Sequence, residues 1–84
     1  LLGTVLVGAN LTDAVIKNVE LVEANLDTAS LLNTKIFRTS FFRSTVRNAL
    51  INGAQIEGCD IVDCDFKGSS MRETIFRRCN MDIV

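Results

Sequence analysis

The chain has no histidine, tryptophan, tyrosine or proline. Without histidine it lacks the commonest general base and a common metal ligand. No sign of charge dominates. Nine Lys and Arg stand against ten Asp and Glu, so bulk charge selects neither nucleic acid nor a cationic partner. No apolar run approaches the roughly 20 residues that a membrane helix needs. The opening LLGTVLV has no basic lead-in and no clear cleavage motif, so it does not read as a signal peptide. The chain also does not begin with Met, so Leu1 is expected to be a processing site or a trimmed boundary. Its 84 residues fit one small domain or a piece of a larger one.

What the chain does have is a rhythm of five. Positions 1, 6, 11 and onward to 81 are all large and apolar. Positions 4, 9, 14 and onward to 84 are all small, and they take up all six alanines and all three cysteines. None of the 19 charged residues enters either phase. The five glycines occupy a third phase, two residues after the large one, together with Asp13, Asn18, Asn33, Asn48 and Asp63.

This rhythm excludes the ordinary elements. An α-helix turns about 100° per residue, so large residues five apart would scatter around its axis. A plain strand needs a period of two. Here the small and large residues are two apart and can face the same side of a short strand, after which the three-residue gap requires a bend. That bend falls at the phase rich in Gly, Asn and Asp, the residues that tolerate positive φ. The spacing predicts very short strands separated by turns, winding into a coil with two phases inside. Successive coils would stack at about 4.8 Å through parallel ladders. One coil cannot offset its own ordering entropy, so stability must come from stacking.

ANLTD at 9–13, ANLDT at 24–28, CDFKG at 64–68 and CNMDI at 79–83 resemble the pentapeptide-repeat motif A(D/N)LXX. The resemblance covers the whole chain. It implies an all-β fold: a right-handed quadrilateral parallel β-helix, a solenoid of about four coils of four pentapeptides. The chain is expected to be one domain spanning 1–84, and, because it starts and stops in the middle of the rhythm, a fragment or part of a longer chain. A rod roughly 20 Å long would follow. KIFRT and SFFRS, in the middle, lack Asp or Asn before the large residue. That position faces out, so the core assignment stands.

With 20 residues per coil, the outer columns can be read off. Glu23, Arg43 and Asp63 alternate in sign, Asp27 lies under Arg47, and Glu57 lies under Arg77. Such exposed pairs are weak. Leu2, Val22, Phe42 and Val62 form an apolar line expected to face solvent, which makes them the candidate partner-binding residues. Lys17, Lys35, Arg38, Arg77 and Arg78 gather on another side against Glu57. Few aromatics accompany them, so nucleic acid is not the expected partner. The sequon Asn10-Leu11-Thr12 is present without any sign of secretion.

Cys59, Cys64 and Cys79 have no zinc spacing and read as small apolar fillers. Asp60 and Asp65 would point outward from adjacent sides, with no third group to orient a base. The chain is therefore expected to be no enzyme and to need no metal, cofactor or small-molecule substrate. The leading reading is a structural or protein-interaction module that meets another protein or a second copy at a coil end or at the apolar stripe. Neither end carries a recognisable cap, so something is expected to cover at least one of them. Two further readings come from the resemblance: a DNA mimic that binds a type II topoisomerase, and a chloroplast or cyanobacterial protein accompanying photosynthetic membranes. The residues themselves select no compartment, cytoplasmic or thylakoid.

Overall fold

A computed structural model describes residues 3–83. Leu1, Leu2 and Val84 lie outside them, so the first member of the apolar stripe is not placed. Every turn-phase residue from Gly3 to Arg78 has positive φ. In most pentads the small residue then closes a hydrogen bond back to the large one, as from Ala9 to Leu6 (3.0 Å) and Ala29 to Leu26 (3.1 Å). A bond from the fourth residue to the first, with positive φ at the third, is the signature of a type II turn.

These turns set the register. Strands β1 (Val15–Lys17), β2 (Lys35–Phe37), β3 (Gln55–Glu57) and β5 (Ile75–Arg77) stack in parallel, each residue over the one 20 positions earlier. Strands β4 (Asp60–Cys64) and β6 (Asn80–Ile83) pair on the adjoining wall. Parallel bridges such as Val5 with Asn25 and Asn10 with Ser30 mark the other two walls. A repeat of 20 at five residues per side makes a four-sided coil. Four layers stack on the first wall, three steps from bottom to top, slightly fewer than the four coils expected. The extents are 26 × 25 × 22 Å, so this length of coil forms a block rather than the expected rod.

The axis is filled by the large phase. Leu26, Ile36, Val46, Ile51 and Ile61 are buried, and Ala24, Ala49 and Ala54 from the small phase let the walls approach. In the outer layers Leu6, Leu11, Ile16, Met71 and Phe76 are only half-buried, because each has a stacking neighbour on one side. The middle pentads that depart from the motif keep the register without interruption, with Lys35 over Val15 and under Gln55.

Candidate protein-interaction surfaces

Val22, Phe42 and Val62 stack in one column, as the 20-residue register requires. Each is half-buried. The column above them continues as Asp82, opposite Val62 in the β4–β6 ladder. Backbone bonds fix the column on both sides, as in Arg43 N–H to Val62 C=O (2.9 Å) and Glu23 N–H to Phe42 C=O (2.8 Å). The Arg43 guanidinium lies over the Phe42 ring, 4.9 Å from its centre. The stripe is thus a short apolar patch on a stiff wall, partly roofed by a cation and ended by an acid. Glu20, Glu23, Asp60 and Asp63 stand exposed around it.

The charged columns behave as expected in part. Asp27 accepts from the Arg47 backbone N–H (2.9 Å) and pairs with its guanidinium (2.9 Å). Partial burial pushes the Asp27 carboxyl up, but these bonds, with one from Thr45, outweigh it and hold the group below the ordinary aspartate range. Glu57 does lie under Arg77 in the ladder, yet its ion pair is with Arg78, at the corner. Arg43 leans on Phe42 beside it, an arrangement that sign alternation in its own column did not reveal.

The cysteines do more than fill space. Cys64 Sγ donates to the Phe41 carbonyl (2.7 Å), and Cys59 and Cys79 donate to Ile36 (3.7 Å) and Ile56 (3.5 Å). Ser44, Ser69 and Thr74 do the same toward Leu21, Val46 and Ile51. Small-phase donors therefore bond repeatedly to large-phase carbonyls 23 residues earlier, one coil below. The only sequence signal was that Ser, Thr and Cys replace Ala in the upper coils. Burial raises the Cys59 and Cys64 thiols above their ordinary range, so both stay protonated and unreactive. Among the described residues, no group of His, Cys, Asp or Glu could hold a metal ion. No described helix is long and apolar enough to cross a membrane. Asn10 Oδ1 accepts from the Thr12 N–H (3.2 Å), a local turn bond within the sequon.

A family model described as pentapeptide repeats matches in eight copies, over residues 1–33 and 49–82. The gap between the two matched stretches contains KIFRT and SFFRS. A comparison with curated proteins gives no match. Among solved structures, the chain is similar to the pentapeptide repeat protein Rfr23 from the cyanobacterium Cyanothece 51142, with TM-score 0.84 and 25% identity, covering 89% of this chain and 52% of that one. It is similar in fold to QnrB1, a plasmid-mediated fluoroquinolone resistance protein, with TM-score 0.84, 20% identity, and 89% and 40% of the two chains covered. It also resembles in fold HetL, a pentapeptide repeat protein involved in heterocyst differentiation regulation in Nostoc sp. strain PCC 7120, with TM-score 0.63, 14% identity, and 94% and 49% coverage. The match thus spans 52% of Rfr23, 40% of QnrB1 and 49% of HetL. The chain belongs to the pentapeptide-repeat family.

Proposed function

We propose that this pentapeptide-repeat solenoid is a non-enzymatic interaction module, and that the patch formed by Val22, Phe42 and Val62 meets a protein partner or a second copy. What supports the reading is pre-organisation. The patch sits on a wall whose backbone is bonded to the coils on either side, so docking freezes little. Leu2 stands 20 residues before Val22 in the sequence. Sedimentation across a range of concentrations tests the second copy, with the Phe42→Glu variant as comparison. Association by the parent chain and loss of it in the variant supports self-docking through the patch. For a different partner, a binder captured by the parent chain must be lost by Phe42→Glu while circular dichroism stays the same. A binder retained by the folded variant removes the patch from the proposal.

The resemblance carries a second reading, a DNA mimic acting on a type II topoisomerase. Likeness in fold to QnrB1 is the observation that favours it. Net charge of only −1, and a middle from Lys35 to Arg47 that is basic with no acid, count against it. A gyrase supercoiling assay separates the two readings: the interaction-module reading expects no effect at micromolar protein, and inhibition or protection would favour the mimic.

A further inference from the structure

The corner between the wall of β1, β2, β3 and β5 and the wall of β4 and β6 carries an uneven share of the charge. Its turn column runs Asn18, Arg38, Gly58, Arg78, all at positive φ. The neighbouring column runs Lys17, Phe37, Glu57, Arg77, and Lys35 stands two residues back, at the far end of β2. Five of the nine basic residues lie here with three of the ten acids, Glu57 on the first wall and Glu20 and Asp60 on the second, a local charge of +2 on a molecule of net charge −1. The rest of the molecule therefore carries −3.

The column has a gap in it. Where the layers below and above present Arg38 and Arg78, the third layer presents Gly58. A Cβ placed on Gly58 would touch only Arg38, with Cγ at 3.6 Å and its backbone N at 3.9 Å. The missing side chain opens a shallow notch of about 370 Å³, lined by Arg38, Ser40, Gly58, Asp60, Arg78 and Asn80. Both arginines are tethered without being used up. Arg38 Nε donates to Asn18 Oδ1 (2.8 Å), which takes one of its five N–H groups. Arg78 pairs with Glu57 yet keeps 79% of its side chain exposed. Across the notch, Asn80 Nδ2 donates to Asp60 Oδ1 (3.2 Å).

We propose that this edge docks an acidic polypeptide segment lying along the coil axis, with one carboxylate side chain set in the notch over Gly58 between Arg38 and Arg78. The mixture of groups selects the class of partner. A phosphate polymer brings acceptors only, and would set its charge against the Asp60 carboxylate, which has one side-chain donor in Asn80, while Glu57 is already paired with Arg78. An acidic polypeptide brings carboxylates for the two guanidinium forks and backbone N–H donors for Asp60. Arg38 and Arg78 are two layers apart, about 10 Å, a span that roughly three residues of extended chain cover. The inference concerns a different surface from the Val22, Phe42 and Val62 patch and does not rest on it.

The test is fluorescence anisotropy of a labelled glutamate-rich peptide titrated with the whole chain, at about 50 and about 150 mM salt. Binding is expected to weaken with salt, and to fall about tenfold in Arg38→Glu and in Arg78→Glu. Gly58→Asn fills the notch while keeping a residue that accepts positive φ, and should cost about fivefold. Arg72→Glu, on another wall, should leave affinity unchanged, as should Phe42→Glu. Circular dichroism confirms the fold of each variant, and if Gly58→Asn fails to fold the two arginine variants still decide. Equal binding of a neutral peptide, or unchanged affinity in both arginine variants, overturns the proposal. Tighter binding of inorganic polyphosphate or of phosphatidylserine vesicles, lost in the same variants, also overturns it and assigns the edge to phosphate carriers.

Discussion

Thr28 holds φ at 62°, in the left-handed region, although it is β-branched. Glu23, Arg38, Arg43, Glu73 and Arg78 sit in the same region. For L-residues other than Gly, Asn and Asp this conformation is costly, on the order of 1 kcal/mol each. The stack tolerates it because the surrounding ladder bonds determine the turn. Thr28→Gly should therefore stabilise the protein by about 0.5–1 kcal/mol after the entropy cost of glycine, raising Tm by about 3–6 °C in a thermal melt. Gly53→Ala should do the reverse, because a Cβ there would collide with Asn33 Oδ1 of the coil below as well as meeting positive φ. The buried thiols give a pH signature. Burial makes Cys59 and Cys64 titrate above their unfolded values, so their contribution is full below the ordinary thiol range and is lost as pH rises from there through the raised folded-state values. Melts at rising alkaline pH should show Tm falling, and the fall should be shallower in the Cys59→Ser, Cys64→Ser double variant.

At the scale of the element, the unit is a pentad whose two inward phases answer to different demands. The large phase supplies apolar volume, so Ile51→Ala should cost about 2–5 kcal/mol in chemical denaturation. The small phase needs a side chain that fits and, in the upper coils, one that can donate to the carbonyl 23 residues earlier. Cys64→Ser should stay within about 1 kcal/mol, because Ser44 and Ser69 already make that bond. Cys64→Leu should overpack the wall and destabilise far more. Period, inside phases and turn phase were all legible in the sequence because burial and positive φ each restrict residue type. The i to i−23 bonds were not, because Cys, Ser and Thr also satisfy a rule that asks only for small size. The middle pentads show the same division. Lys35 and Ser40 replace the Asn or Asp of the motif without disturbing the register, since Lys35 faces solvent and Ser40 is only half-buried on the outer wall. The apolar line was readable at Val22, Phe42 and Val62, but its cover by Arg43 depends on a side-chain direction that spacing does not encode. The Gly58 notch was hidden for a similar reason: glycine was explained by its turn, and the space it leaves matters only beside Arg38 and Arg78.

The whole molecule is a block held together by neighbour-to-neighbour stacking, which makes its stability uneven along the axis. Leu26, Ile36, Val46 and Ile51 have layers on both sides and are 1% exposed. Met81, in the top layer, is 40% exposed. Hydrogen exchange should accordingly be slowest for the amides of Leu26, Leu31, Val46 and Ile51, and faster for those of Leu6, Leu11 and the pentads from Met71 onward. Uniform protection from end to end would mean that the coils open as one unit. Charge is uneven as well, with +2 along one corner of a molecule of net charge −1, so orientation toward a charged partner is built into the block. The central claim is the 20-residue coil, and inter-strand nuclear Overhauser contacts between backbone protons test it most directly. Ile16, Ile36, Ile56 and Phe76 should form one unbroken parallel ladder, each contacting the residue 20 positions away. Contacts at any other constant spacing, or the short-range pattern of an α-helix, would contradict it.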